Sequence, residues 1–207
     1  MGDLRIFDLL ELKIKYNLEY FVETGTLYGD GVDYAKEYFT EIHSIEIDKE
    51  LAEKAQKKYE QQKGINIHNT SSEQGLKDVC SIINNNTLFW LDAHFPGADS
   101  HKVPYDNEKD INIRLPLETE LNVISQHAKK YNDLIIIDDL WLFEDGPFEW
   151  GSFDEHAKRC NMNVTRKQLI NKTSDFIYPL FEKNYEFEKK YNHQGYLLIK
   201  PKKYENS

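Results

Sequence analysis

Short apolar runs alternate with longer amphipathic segments along most of the chain. Apolar runs predict strands, and apolar residues spaced three or four apart predict helices. The clearest strand is residues 134–137, a continuous apolar run rich in β-branched residues that suits the buried centre of a parallel sheet. Strands are predicted at residues 18–23, 42–47, 65–68, 87–91, 134–137, 185–189 and 195–200, and helices at 32–39, 49–62, 73–83, 117–131 and 166–183. This alternation predicts a Rossmann-like α/β fold, a doubly wound and mostly parallel sheet of about seven strands in one domain over residues 1–207.

Composition and charge limit the classes of partner. The 207 residues are 40% hydrophobic and 30% charged, as in a globular domain. No apolar run is long enough to span a bilayer and the first residues do not resemble a secretory signal, so we expect a cytoplasmic protein without a membrane partner. The net charge of −10 opposes non-specific nucleic-acid binding. A small-molecule or glycan substrate is therefore expected, no nucleic acid is expected, and a homodimer stays open.

The turn after the first predicted strand, Glu23-Thr24-Gly25-Thr26-Leu27-Tyr28-Gly29-Asp30-Gly31, carries the first candidate chemistry. Glycine lets the backbone approach a ligand and turn sharply into a helix. The spacing G-x-x-x-G-x-G differs from the G-x-G-x-x-G pattern of dinucleotide sites. Glu23, which opens the turn, suits a cationic ligand better than a diphosphate, and Glu46 at the end of the second strand can accept both hydroxyls of a ribose. These features predict a site for a cationic nucleoside cofactor; a tight structural turn with two solvated carboxylates is the alternative.

Residues 22–29 resemble the first motif of the class I S-adenosylmethionine-dependent methyltransferases, acid-x-Gly-x-x-x-Gly. Residues 44–48 are similar to the second motif, whose acid binds the ribose, and the order of elements is similar over nearly the whole chain. The resemblance implies the class I methyltransferase fold and S-adenosylmethionine as cofactor. The residues that it implies for cofactor binding are Glu23, Gly25, Thr26, Gly29, Gly31, Glu46, Ser71, Ser72 and Asp92, with the two serines near the adenine.

Acidic residues follow the fourth and fifth predicted strands, as Asp92-Ala93-His94 and Asp138-Asp139. The carboxyl ends of parallel strands meet at one edge of a sheet, so these side chains are expected to converge. Carboxylates so near to one another repel unless a cation or a proton offsets their charge, and oxygen ligands suit Mg²⁺. The predicted metal ligands are Asp92, Asp138 and Asp139. The alternative is that the two neighbouring aspartates only cap a helix or form a turn.

The same positions resemble the metal-dependent O-methyltransferases of the class I fold, and more closely the macrocin-type sugar O-methyltransferases. That group has an Asp-Asp pair and a histidine base after the strand-four aspartate. His94 follows Asp92 more closely than in that group, so its role as base, ligand or neither stays open; His94 and Asp92 are the candidate catalytic residues. Loops 95–116 and 140–164 are predicted to lie on the substrate side.

The resemblance implies an O-methyltransferase acting on a hydroxyl of a sugar or small metabolite with Mg²⁺ assistance. Three alternatives stay open. They are a metal-independent methyltransferase acting on nitrogen or a carboxylate, a nicotinamide enzyme, and a non-catalytic nucleoside-binding protein.

Overall fold

A seven-stranded sheet forms the centre of the molecule. The computed structural model describes residues 3–98, 100–105, 107–159, 165–170 and 173–202. The strands are β1 (Tyr20–Thr24), β2 (Glu41–Glu46), β3 (Ile65–Asn69), β4 (Thr87–Leu91), β5 (Leu134–Ile137), β6 (Tyr185–Lys190) and β7 (Tyr196–Pro201). Their order across the sheet is β3-β2-β1-β4-β5-β7-β6. Strands β1 to β5 are parallel, and β7 pairs antiparallel with both β5 and β6. The predicted doubly wound, mostly parallel sheet of about seven strands is confirmed.

Helices connect the parallel strands and cover both faces of the sheet. They are α1 (Leu9–Tyr16), α2 (Asp30–Ala35), α3 (Lys49–Tyr59), α4 (Ser72–Ile82), α5 (Ile111–Arg114), α6 (Leu117–His127), α7 (Phe153–Arg159), α8 (Arg166–Leu169) and α9 (Tyr178–Phe181). Short 3-10 turns lie at Leu4–Ile6, Leu140–Leu142 and Ser174–Phe176. Within the described part of the chain, no helix has the length and apolar character that a bilayer crossing requires.

Alternate strand residues supply two separate cores because successive side chains of a strand point to opposite faces. On β1, Phe21 packs with α1, α2 and α3, whereas Val22 packs with α4 and α6. Strand β5 is buried along its whole length, which accounts for its continuous apolar run. Both faces are thus filled by helices, and ligands have access at the carboxyl edge of the sheet.

Two caps fix helix N-termini at that edge. Asp48 begins α3, and its Oδ1 accepts hydrogen bonds from the amides of Glu50 and Leu51 at 2.9 and 3.1 Å. Ser71 begins α4 and accepts a longer hydrogen bond from the amide of Gln74 at 3.4 Å. The chain therefore turns sharply after β2 and β3, and the turns border the edge where β1 and β4 end.

The prediction of a continuous helix at 166–183 is wrong. The described residues there form α8, a 3-10 turn and α9, and residues 171 and 172 lie outside the described part. Pro179 has no amide hydrogen to donate to the carbonyl four residues earlier, which disfavours an unbroken helix at this point and suits the first turn of α9, where Pro179 lies. Helix α1 was not predicted; Asp8 caps it by accepting a hydrogen bond from the Glu11 amide at 2.9 Å, and Asn17 ends it in a left-handed conformation with φ 51°.

Candidate cofactor and reaction site

A cavity of about 350 Å³ lies at the carboxyl edge of the sheet, over the ends of β1, β2 and β4 and the start of α4. A smaller cavity of about 60 Å³ adjoins it and shares Gly25, Leu27 and Asp92 with it. A third space of about 20 Å³ lies behind His94. Asp92 lines all three. The end of β4 is therefore the point where the spaces of the site meet.

The glycine turn fits tightly between β4 and α2. Gly25 has φ 88°, and a Cβ atom there would lie 2.8 Å from the carbonyl oxygen of Asp92. A Cβ atom at Gly31 would collide with the Glu23 carboxylate. Gly29 caps α2 at φ 83° and lines neither of the two larger cavities. Glycine is therefore required at Gly25 both by the backbone angle and by the neighbouring strand.

Glu23 is held beneath the turn by a chain of hydroxyl groups. Ser44 Oγ donates to Glu23 Oε1 at 2.6 Å, and Thr26 Oγ1 lies 2.5 Å from Ser44 Oγ. Burial, helped by the charges of Asp92 and Glu46 and opposed by the hydrogen bond from Ser44, raises the pKa of Glu23 to about 8. Glu23, Thr26 and Gly31 line the smaller cavity rather than the larger one.

Glu46 faces the larger cavity with both carboxylate oxygens fixed by the backbone. Oε2 accepts from the Leu27 amide at 2.9 Å, and Oε1 accepts from the Asp48 amide at 2.8 Å. Each oxygen keeps a further acceptor position, so a ribose diol could donate to this carboxylate. Ser71 and Ser72 line the same cavity. The structure thus brings the predicted ribose and adenine residues together around one space.

Asp92, His94 and Asp139 form a compact group at the ends of β4 and β5. One potential ligand atom from each lies within 4.8 Å of the others. His94 Nε2 donates a hydrogen bond to Asp139 Oδ2, and His94 Nδ1 lies 3.8 Å from Asp92 Oδ1. Burial acts to raise the pKa of Asp139, but the charge and hydrogen bond of His94 outweigh it and hold that pKa below its usual value.

Asp138 lies outside this group. Its Oδ1 accepts a hydrogen bond from the Asp139 amide at 2.7 Å, and Asp139 has a left-handed backbone with φ 54°. Burial, then the charges of Asp92 and Asp139, raise the pKa of Asp138 well above its usual value. The group formed in the structure therefore differs in one member from the predicted set Asp92, Asp138 and Asp139, because His94 stands where Asp138 was expected.

The chemistry of this group fits a divalent cation. Two carboxylates and an imidazole are the ligands of first-row transition ions such as Mn²⁺, whereas Mg²⁺ prefers oxygen ligands alone. A raised pKa at Asp138 is the response expected when several acids share a buried edge without a counter-charge. A cation bound by Asp92, His94 and Asp139 would supply that charge.

The described parts of loop 95–116, which are 95–98, 100–105 and 107–116, border the larger cavity and are held by contacts that the sequence did not reveal. Phe95 N donates to the Arg114 carbonyl at 2.8 Å and joins the two ends of the loop. Lys102 Nζ contacts Asp48 Oδ2 at 2.8 Å and Glu50 Oε2 at 3.1 Å, so the loop is fastened to the start of α3. A lone lysine in a polar loop gives no signal of its partner.

Most loop aromatics pack inward instead of facing a ligand. Within 140–159, the described part of the second loop, the buried aromatics are Trp141, Phe143, Phe148 and Phe153, whereas Trp150 is 41% exposed. Phe143 alone of these five lines the 20 Å³ space. Residues 160–164 of the predicted loop lie outside the described residues.

Solved structures share this architecture. A protein from Staphylococcus aureus described as a caffeoyl-CoA O-methyltransferase is 13% identical, with 98% of this chain and 85% of that one covered at a TM-score of 0.61. An SAH-bound methyltransferase from Podospora anserina is 14% identical, with 94% of this chain and 76% of that one covered at a TM-score of 0.59. A protein from Clostridium thermocellum described as an rRNA-methylase is 9% identical, with 98% of this chain and 100% of that one covered at a TM-score of 0.56. The amino-acid sequence matches no protein-family model and no curated protein. The seven-stranded sheet with antiparallel β7 is the class I methyltransferase fold, as the sequence predicts.

Proposed function

We propose that the protein is an S-adenosylmethionine-dependent methyltransferase that transfers the methyl group to an oxygen. The observation that carries the proposal is the continuity of the site. One cavity extends from Glu46 past the Gly25 turn to Asp92 and His94. A cofactor bound along the turn would therefore have its reactive end beside the group at the ends of β4 and β5.

The cofactor half uses charge and backbone geometry. Glu46 would accept the ribose hydroxyls, and Ser71 and Ser72 would border the adenine. The 60 Å³ cavity beside Glu23 and Asp30 would take the amino-acid end, where acidic groups favour the ammonium and the sulfonium. Thr26, Gly29 and Gly31 would shape the turn, and Asp92 would lie between cofactor and acceptor. The SAH-bound neighbour supports this choice of cofactor.

The acceptor half favours a neutral hydroxyl compound. The carboxyls of Glu23, Glu46, Asp92, Asp138 and Asp139 crowd one edge, and the whole chain carries a net charge of −10. A phosphate-rich acceptor such as RNA would be repelled from such an edge. A hydroxyl of a sugar or small metabolite is the acceptor class that we propose, in keeping with the O-methyltransferase described for the neighbour from S. aureus.

We further propose that Asp92, His94 and Asp139 hold a divalent cation. Such an ion would lower the pKa of an acceptor hydroxyl and orient it toward the methyl group. The protein's own part is to fix the three side chains, to exclude water beneath loop 95–116, and to align donor and acceptor for an in-line displacement. Asp138 would hold the Asp139 backbone rather than bind the cation.

The direct pair of His94 and Asp139 supports a second candidate, a metal-independent methyltransferase. A carboxylate hydrogen-bonded to one ring nitrogen fixes the tautomer of a histidine and stabilises its protonated form. His94 would then take the proton from the acceptor as general base. Chelators separate the two candidates, because only the first requires a cation.

Isothermal titration calorimetry tests the cofactor half. S-adenosylhomocysteine is expected to bind and NAD⁺ is not. Glu46→Ala is expected to lower the affinity for S-adenosylhomocysteine by at least about 10-fold, since it removes a charged acceptor for two hydroxyls. Glu53→Ala, on the exposed face of α3, is the matched control. Binding of NAD⁺ alone, or an unchanged affinity in Glu46→Ala, would contradict the proposal.

Release of S-adenosylhomocysteine over a panel of hydroxylated sugars and metabolites tests the reaction half. Asp139→Asn is expected to abolish turnover and Mn²⁺ binding while cofactor affinity stays near that of the wild type. Full turnover in EDTA would refute the cation and favour His94 as base. Cofactor binding without turnover on any acceptor would favour a non-catalytic nucleoside-binding protein.

A further inference from the structure

Glu120 is a buried acid that the proposed mechanism does not use. It lies in the first turn of α6, and only 1% of its surface is exposed. It lines the 20 Å³ space behind His94, whose other walls include the apolar side chains of Leu117, Leu142 and Phe143. Burial raises the pKa of Glu120 to about 7, against smaller opposing effects of the hydroxyls of Ser72 and Thr24. A carboxyl in such surroundings costs stability, which indicates a role other than packing.

Two residues that line this space each have a buried carboxyl oxygen without a hydrogen-bond partner among the described residues. Glu120 Oε1 and Asp138 Oδ2 are both buried, and no described residue donates a hydrogen bond to either. The space of about 20 Å³ is large enough for one water molecule, and a water has two hydrogens to donate. One water hydrogen-bonded to Glu120 Oε1 and Asp138 Oδ2 would satisfy both oxygens, since a water donates to an ionised carboxylate and accepts from a protonated one.

Asp138 in turn determines the position of Asp139. The other Asp138 oxygen, Oδ1, accepts from the Asp139 amide at 2.7 Å and holds Asp139 in its left-handed backbone conformation. From that conformation the Asp139 carboxylate reaches His94. Left-handed backbone is unfavourable for residues other than glycine and persists only where surrounding contacts enforce it. The orientation of Asp138 therefore controls the group formed by Asp92, His94 and Asp139.

We propose that Glu120 is a positioning residue of the reaction site, joined to Asp138 through one buried water and acting through Asp138 on Asp139. The inference rests on the proposed function in treating Asp92, His94 and Asp139 as the reacting group. Glu120 itself touches neither the cofactor nor the acceptor. Its position on the apolar face of α6, between Leu117 and Leu121, is the sequence signal that marks it.

A crystal structure of the wild-type protein that resolves ordered water tests the bridge directly. Density for one water within hydrogen-bond distance of Glu120 Oε1 and Asp138 Oδ2 is expected. An ordered structure in which this space is dry, or in which Glu120 turns away from it, overturns the proposal. This test is independent of whether the protein binds a cation or transfers a methyl group.

Mn²⁺ titration followed by electron paramagnetic resonance tests the consequence. Glu120→Leu is expected to lower the affinity for Mn²⁺ by about 10-fold, the size of effect typical of residues that orient metal ligands. Glu120→Gln keeps an oxygen acceptor, and its affinity for Mn²⁺ is expected to stay within about 2-fold of that of the wild type. Glu118→Gln, two residues away in the same helix turn and outside the lining of the space, is the control.

Thermal unfolding of the same variants separates positioning from structural support. Glu120→Leu removes a buried carboxyl from apolar surroundings, so its melting temperature is expected to equal or exceed that of the wild type. Weaker Mn²⁺ binding together with retained stability supports the proposal. Unchanged Mn²⁺ affinity, or equal losses of stability and affinity, overturns it. If the wild type binds no Mn²⁺, the cation in the proposed function fails, and the crystallographic test alone decides the role of Glu120.

Discussion

Replacement of Glu23 by glutamine tests the electrostatics beneath the glycine turn. Burial, with the charges of Asp92 and Glu46, raises the pKa of Glu23 from 4.5 to about 8 in the folded protein. At neutral pH the folded protein therefore holds a proton that the unfolded chain has released. A glutamine side chain at this position would be neutral at every pH, and its amide oxygen could still accept the hydrogen bond from Ser44.

The sign of the effect follows from the raised pKa. Glu23 does not reduce the stability of the folded state below about pH 4.5, and it reduces stability increasingly as the pH rises toward about 8. Full ionisation corresponds to about 5 kcal/mol, since one pKa unit equals roughly 1.4 kcal/mol. Between pH 6 and pH 8.5 the wild type is expected to lose about 2.5 kcal/mol of unfolding free energy relative to Glu23→Gln.

Urea unfolding at several pH values, followed by tryptophan fluorescence, measures this difference. Other titrating groups are common to both proteins and cancel in the comparison, provided that the urea dependence is equal in the two. Glu11→Gln, at an exposed position of α1, is the control and is expected to give a difference independent of pH. A wild-type and Glu23→Gln difference that stays constant within about 0.5 kcal/mol from pH 6 to pH 8.5 would refute a neutral Glu23.

Three further predictions follow from the contacts of the site. Gly25→Ala is expected to destabilise the protein by about 1–3 kcal/mol and to abolish S-adenosylhomocysteine binding, because its Cβ would press on the Asp92 carbonyl; normal affinity in calorimetry would contradict this. Lys102→Ala is expected to speed dissociation of S-adenosylhomocysteine a few-fold in stopped-flow measurements, as high salt would for the wild type, because it releases loop 95–116 from Asp48; an unchanged dissociation rate would count against a closing role. Ser44→Ala removes the hydrogen bond that lowers the Glu23 pKa, so the loss of stability caused by Glu23 is expected to continue to a higher pH than in the wild type before it levels off; levelling off at a lower pH in urea titrations would contradict the assignment.

The strands at 87–91 and 134–137 were predicted to the residue because a strand buried on both faces reads as a continuous apolar run. The region 166–183 was predicted as one helix. Its apolar residues Leu169, Ile170, Ile177 and Phe181 do reach the core, but they do so from short separate turns. Periodicity reports which residues are buried and does not report whether the backbone between them is continuous.

The placement of the predicted cofactor residues around one edge of the sheet was predictable because its signals are local. Glu23, Gly25 and Glu46 lie at the ends of strands whose order fixes where those ends meet. The arrangement at β5 was not predictable in the same way. Asp138 and Asp139 are adjacent in sequence, and the left-handed backbone of Asp139 decides which carboxylate joins His94. That conformation depends on a hydrogen bond within the folded turn, and spacing along the chain carries no information about it.

Most of the buried acids of the site have raised pKa values. Burial raises the pKa values of Glu23, Glu120 and Asp138, so without a cationic ligand protons neutralise much of the charge beneath the cavity. Asp139 differs because His94 supplies a positive partner and keeps its pKa low. A sulfonium cofactor or a divalent cation would favour the ionised form of the same acids and displace their protons. Each cation that binds would therefore be exchanged for protons, and the affinity of the site for its cationic ligands should increase as the pH rises toward the raised pKa values of these carboxyls.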